Sequence, residues 1–175
     1  AAGVPVPGGT TTEGLERLTR ALERTGAARL TILGDLFHAR TSRQPATLEA
    51  ARAWRRRHAD LPVTLIRGNH DRHAGDPPGE LRIDCCDPPC ADPPFLLSHH
   101  PFEPETGYVL AGHVHPSVTL RGVGRQRERL PCFHFGARVG VLPAFGAFTG
   151  TADVAVAPGD RVFVVAGDRV LPVAG

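Results

Sequence analysis

The chain has 175 residues, 41% of them apolar and 22% charged, with a formal net charge of +2 and twenty Arg but no Lys. That length and apolar content fit one globular domain with a sizeable core, and Gly and Pro interrupt every apolar run before it could span a bilayer. So small a net charge excludes a general polyanion-binding surface, and any case for nucleic acid has to rest on local patches.

In chain order, "AAGVPVPGG" (1–9) lacks the basic and apolar regions of a signal peptide, which leaves a cytoplasmic protein as the expectation. "TTTEGLERLTRALERTG" (10–26) predicts a helix: Thr residues offer N-caps, Leu15, Leu18 and Leu22 share a face, and Gly26 closes the end. "RLTIL" (29–33) predicts a buried strand running into "GDLFHAR". "PATLEAARAWRRRH" (45–58) predicts a second helix with Pro at its start and Leu48, Ala51 and Trp54 inward. "VTLIRG" (63–68) predicts the next strand, and a polar run, "NHDRHAG", follows it. Helix alternating with strand implies a parallel sheet with crossover helices.

The second half reads as strands with short turns: 81–86, 94–99, 108–113, 117–122, 130–136, 161–167 and 169–173, with "AGDR" (166–169) as a hairpin turn. "DPPCADPP" (87–94) reads only as a Pro-rich loop. The four Cys, at 85, 86, 90 and 132, match no zinc-ligand spacing and are expected to be reduced thiols.

Four strand ends carry the same kind of chemistry. Asp35 follows "LTILG", Asn69, His70 and Asp71 follow "LIRG", His99 and His100 follow "FLLS", and His113 and His115 follow "VLAG". Any one of these is unremarkable as a turn, a cap or a pair of surface imidazoles. Together they fall where an open α/β sheet binds ligands, outside the carboxyl ends of its strands. An Asp, an Asn oxygen and several imidazoles form a mixed O/N donor set suited to Mn, Fe or Zn and unsuited to a thiolate site. No nucleophile elbow or Walker loop competes.

The order G-D, G-N-H-D, a His after a strand, then G-H-x-H resembles the calcineurin-like metallophosphoesterase family. Here it reads Gly34-Asp35, Gly68-Asn69-His70-Asp71, His99 and Gly112-His113-Val114-His115, over about residues 29–116. "GVPVPGGT", "GNHDRHAGDPP" and "LPCFHFGARVGVLPAFGAFTG" are further similar to a bacterial subgroup, the ligase-associated DNA-damage-response phosphoesterases, described as endonucleases. The resemblance implies an α/β/β/α sandwich and two divalent metals, manganese first with iron or zinc also compatible, activating water for in-line attack on a phosphoryl centre. It implies metal ligands at Asp35, Asn69, His99, His113 and His115, with His99 preferred to His100 because it comes straight off the strand. His70 becomes the group that stabilises charge or protonates the leaving oxygen, oriented by Asp71. Apart from the resemblance, His38, Arg40, Arg72 and His73 read either as lining the phosphate cleft or as plain surface residues.

The family's opening D-x-H motif has no counterpart here, so the reading is one metallophosphoesterase domain over 1–175 whose first strand is missing, an N-terminal truncation. The expected activity is phosphodiester hydrolysis, in nucleic acid and in DNA repair, with partners among DNA-repair proteins and no membrane. A small-nucleotide phosphodiesterase or phosphatase is the alternative enzyme, and a degenerate phosphoesterase serving as a protein-binding module is the alternative outside catalysis. "RGVGRQRERL" (121–130) sets four Arg around a Gly-containing loop, either a nucleic-acid contact or a solvated hairpin tip. His134 reads as a hydrogen-bonded core or rim histidine.

Overall fold

The computed structural model describes residues 10–37, 44–146 and 149–173. Residues up to Cys86, with Phe145 and Gly146, form one compact unit; Asp87–Ala144 and residues from Thr149 onward form a second.

In the first unit the Leu-striped segment is helix α1 (Thr10–Thr25), followed by strand β1 (Leu30–Ile32), helix α2 (Pro45–Arg57) and strand β2 (Val63–Ile66). A short helix α3 (Asn69–Ala74), a 3₁₀ turn (Gly79–Leu81) and strand β3 (Asp84–Cys86) complete it. The strands pair in parallel in the order β1-β2-β3, with Leu30 opposite Val63 and Thr64 opposite Asp84. Parallel neighbours require a crossover, and α2 lies in the one between β1 and β2. Val63, Leu65 and Ile66 are buried in β2, each worth about 1.5–3 kcal/mol of apolar transfer. Leu48 and Ala51 of α2 pack against Phe37, Ala74 and Leu81. Trp54 is only half buried, and its indole N–H donates to the Thr19 hydroxyl, 3.0 Å away on α1. Its neighbour Arg55 is the buried one, donating to the carbonyls of Leu81 at 2.8 Å and of His58. A guanidinium at the end of α2 thereby secures the 3₁₀ turn, and burial lowers its pKa.

The polar run after β2, expected to be a loop, is the helix α3. Gly68 enters it extended, at φ −88° and ψ 178°, and its N–H donates to the Asp71 carboxylate at 2.9 Å, a cap of the first turn by its third residue.

The second unit holds nine strands among the described residues: β4 (Cys90–Asp92), β5 (Phe95–Ser98), β6 (Tyr108–Ala111), β7 (Pro116–Arg121), β8 (Arg127–Phe135), β9 (Val139–Val141), β10 (Ala152–Asp153), β11 (Arg161–Ala166) and β12 (Arg169–Val173). Their order is β10-β7-β8-β9-β6-β5-β4, with β11 on β8 and β12 on β11. Pairs β5–β6, β6–β9 and β7–β10 are parallel and the rest antiparallel. The "AGDR" turn is as expected: Ala166 faces Arg169, and Gly167 takes φ 62°, which an unbranched backbone tolerates. The mixed α/β class is likewise as expected.

Two readings are corrected. The segment 87–94 is more than a loop, because its Cys90–Asp92 stretch pairs with β5. Two prolines on each side left alternation too short a span to register. The cysteines are not all reduced: Cys86 and Cys90 are disulfide-bonded, while Cys85 and Cys132 are free. Spacing by four across Pro-Pro is no metal pattern, but it is short enough to cross-link. Burial pushes the Cys132 thiol up to about 11, so it is a small hydrophobe of the core beside Val162 and Val164. No described helix is long and apolar enough to cross a membrane.

Candidate active site

In the first unit the end of β1 and the start of α3 are locked together by two carboxylates. Asp71, only 2% exposed, accepts the backbone N–H of Asp35 at 2.6 Å, of Leu36 at 3.0 Å and of Gly68 at 2.9 Å, with Phe37 at 3.5 Å. Asp35 reciprocates, its Oδ1 accepting the His70 N–H at 3.1 Å. A buried carboxylate is tolerated when amide donors replace its water. The bonds of Asp71 therefore run to backbone, and the group it orients is the Asp35 loop, where the resemblance implied the His70 ring. Asn69 and His70 are half buried, and Arg72 and His73 are exposed on α3. His73 Nδ1 lies 2.6 Å from the Asn69 carbonyl. That carbonyl can only accept, so the ring hydrogen is on Nδ1. His38 lies outside the described residues.

In the second unit, parallel strands β5 and β6 deliver three imidazoles to one place. His99, 1% exposed, leaves the end of β5; His113 leaves β6; and the ring nitrogens of His99, His100 and His113 lie within 4.8 Å of one another. His113 Nδ1 is 3.0 Å from His99 Nε2. Two nitrogens each about 2.1 Å from one ion are about 3.0–3.4 Å apart, so this pair suits a shared divalent metal. Imidazole donors favour Zn or Fe over Mg or Ca. His115 is outside this cluster, its Nδ1 bonded to the Gly150 carbonyl at 3.0 Å. Donation from Nδ1 leaves the Nε2 lone pair for a ligand, the usual arrangement of a metal-binding His.

Three of the expected ligands sit in the left-handed region: Asp35 at φ 57°, His113 at φ 63° and His115 at φ 51°. Such residues cost about 1–3 kcal/mol each and persist where the surroundings impose them. Strain of this kind in two separate turns, after β1 and between β6 and β7, aims side chains off the strand axes, which alternation along a strand cannot do.

Sequence reasoning preferred His99 to His100; the structure brings both to His113. Consecutive residues point to opposite faces only within a strand, and β5 ends at Ser98. The signal available was the tandem His itself. His134, expected to be a satisfied histidine, is bonded to Asp160 at 2.7 Å.

Residues 11–136 match the family described as calcineurin-like phosphoesterase. The chain belongs to that family. It is also similar to a solved structure, the nuclease MPE of Pseudomonas putida, at 48% identity and a TM-score of 0.87, over 98% of this chain and 82% of that one. The fold is thus a metallophosphoesterase fold, and the protein is a hydrolase of phosphoesters. No curated protein matches it.

Proposed function

We propose that the protein is a manganese-dependent phosphodiesterase that cleaves nucleic acid, acting in DNA repair in the cytoplasm. The observation that carries the reading is the convergence of His99, His100 and His113, with His113 held in a left-handed turn. Likeness to a nuclease at 48% identity supports nucleic acid as the substrate, and similarity to the DNA-damage subgroup supports repair. Asp35, Asn69, His99, His113 and His115 are the proposed ligands of two divalent metals, with His100 beside them. Bound there, the metals supply Lewis-acid stabilisation of phosphoryl oxygens and bring the pKa of a coordinated water towards about 7. His70 gives a proton to the leaving oxygen. Asp71 contributes by fixing the backbone of Asp35 and the entry to α3, and so the placement of His70. Arg72, His73 and His38 hold the non-bridging phosphate oxygens.

The test uses the full-length protein, with any residues that precede Ala1, on bis(p-nitrophenyl) phosphate and on single-stranded DNA with Mn²⁺. Both should be hydrolysed, and chelator should stop both. His70→Ala should cut turnover about 10²-fold or more at unchanged metal content. His99→Ala and His100→Ala, compared by metal stoichiometry, rank the two histidines as ligands. Turnover of a cyclic nucleotide without DNA cleavage favours the small-nucleotide enzyme. Metal-loaded protein with no hydrolysis of any diester favours the binding module.

A further inference from the structure

Strand β7 leaves the His113–His115 turn and runs to Arg121, the chain turns through 122–126, and β8 returns from Arg127. The register sets Arg121 directly opposite Arg127. Directly opposed side chains share a face with Cβ atoms about 4.5–5.5 Å apart, and like charges there are destabilising. Arg125, at the tip, adds a third guanidinium in a left-handed conformation, φ 68°. All three are exposed. Among the described residues none of the three has an ion pair or a side-chain hydrogen bond. They line an open hollow of about 370 Å³ with Gly122 and Gln126.

Arg129 shows what an occupied arginine looks like on the same hairpin. It donates to the Ser117 hydroxyl at 2.9 Å and the Thr151 carbonyl at 3.0 Å, and pairs with Asp153 at 2.9 Å. Of the four Arg of 121–130 outlined from sequence, one holds β10 and three are left as repelling neighbours. Protein interfaces draw their energy from aromatic or apolar anchors, and the described side chains that line this hollow are Arg and Gln. A phosphodiester backbone needs only cations, and an anion placed between Arg121 and Arg127 turns their repulsion into two attractions.

We propose that the β7–β8 hairpin tip binds the phosphate backbone of the nucleic-acid substrate, away from the bond that is cut. This rests on the reading of the protein as a nuclease. The six residues of β7 advance about 17 Å from Pro116 to Arg121, about five nucleotide steps of 3.4 Å, so a trinucleotide engaged at the histidines does not reach the tip.

The experiment compares full-length wild type with Arg121→Gln/Arg125→Gln/Arg127→Gln and with the corresponding triple Lys variant. Binding of a single-stranded 15-mer is followed against NaCl, and hydrolysis of the 15-mer, a trinucleotide diester and bis(p-nitrophenyl) phosphate is measured with Mn²⁺. Three lost contacts should flatten the log–log salt slope by about 2 and weaken 15-mer binding about a hundredfold at 0.1 M salt. The Lys variant should keep most of the slope, and rates on the two short substrates should stay within about twofold in both variants, which also shows that they are folded. A triple Gln variant that binds the 15-mer with the wild-type slope overturns the hairpin proposal and leaves an acidic protein as the patch's partner. Wild type that hydrolyses the small diester yet neither binds nor cuts the 15-mer overturns the nuclease reading instead.

Discussion

The two units hold their chemistry-bearing residues by opposite means. In the first, a buried carboxylate is enclosed by backbone N–H groups, so Asp71 is a structural clamp that positions Asp35. In the second, the cluster consists of imidazoles alone, brought together by strand ends and a left-handed residue. The clamp contributes to folding on its own. The imidazoles pack ring against ring, and His113 among them is held in a left-handed conformation that costs about 1–3 kcal/mol. Substitutions at the clamp and at the imidazole cluster should therefore differ in what they cost metal-free stability.

Asp71→Ala should give the largest effect on stability, about 3–5 kcal/mol in urea unfolding, because it leaves several amides without an acceptor. A loss below 1 kcal/mol would mean that water takes over the clamp, and the contrast would fail. Next comes Gly140→Ala in the second unit, where an added Cβ meets the Phe135 ring at 2.7 Å across the β8–β9 pair. Overpacking against a ring costs about 1–3 kcal/mol, and Phe135→Leu in the same chain should recover part of it by making room.

His113→Gly sharpens the comparison most. The φ of 63° is free for Gly, so relief of strain offsets part of what is lost with the imidazole's bond to His99 and its ring contacts, and metal-free stability should change by no more than about 1 kcal/mol. Metal titration of the same variant should show at least one site lost. A destabilisation as large as that of Asp71→Ala would put a structural clamp in both units.

The smallest effect concerns pH. The Asp160 carboxyl is held below its ordinary value of 3.8 by the Ala157 amide and then by His134. A lowered folded pKa contributes stability that is present above the unfolded value and is lost as pH falls through the folded one. The gap in stability between wild type and Asp160→Asn should accordingly narrow below about pH 4 and stay constant from pH 5 to 7. A gap that stays constant down through about pH 3 would remove the Asp160 carboxylate from the stability balance.

Much of this was legible in the chain. Long periodic stretches such as 10–26 and 45–58 became helices within a residue or two, because apolar spacing is a local property that burial then uses. Strands β9 and β10 have three and two residues, too few for alternation to show, and β4 hid between prolines. Helix α3 was concealed for another reason: its apolar content is a single Ala, and it exists because Asp71 caps its own first turn.

By itself the sequence determined which residue types stand at the strand ends: carboxylate, amide and imidazoles after Gly34, Gly68, Ser98 and Gly112. That much follows from covalent order, since a run of apolar residues ended by Gly and polar donors can be read without knowing what it packs against. Tertiary structure alone decided how those groups are used. It turned Asp71 toward four backbone amides, placed His100 with His99 and His113, and tied Arg129 to Asp153 while leaving Arg121 facing Arg127. Apart from the local Gly68–Asp71 cap, partners 13 to 36 residues apart and a strand register that pairs like charges depend on how the chain packs and have no local signature for spacing to reveal.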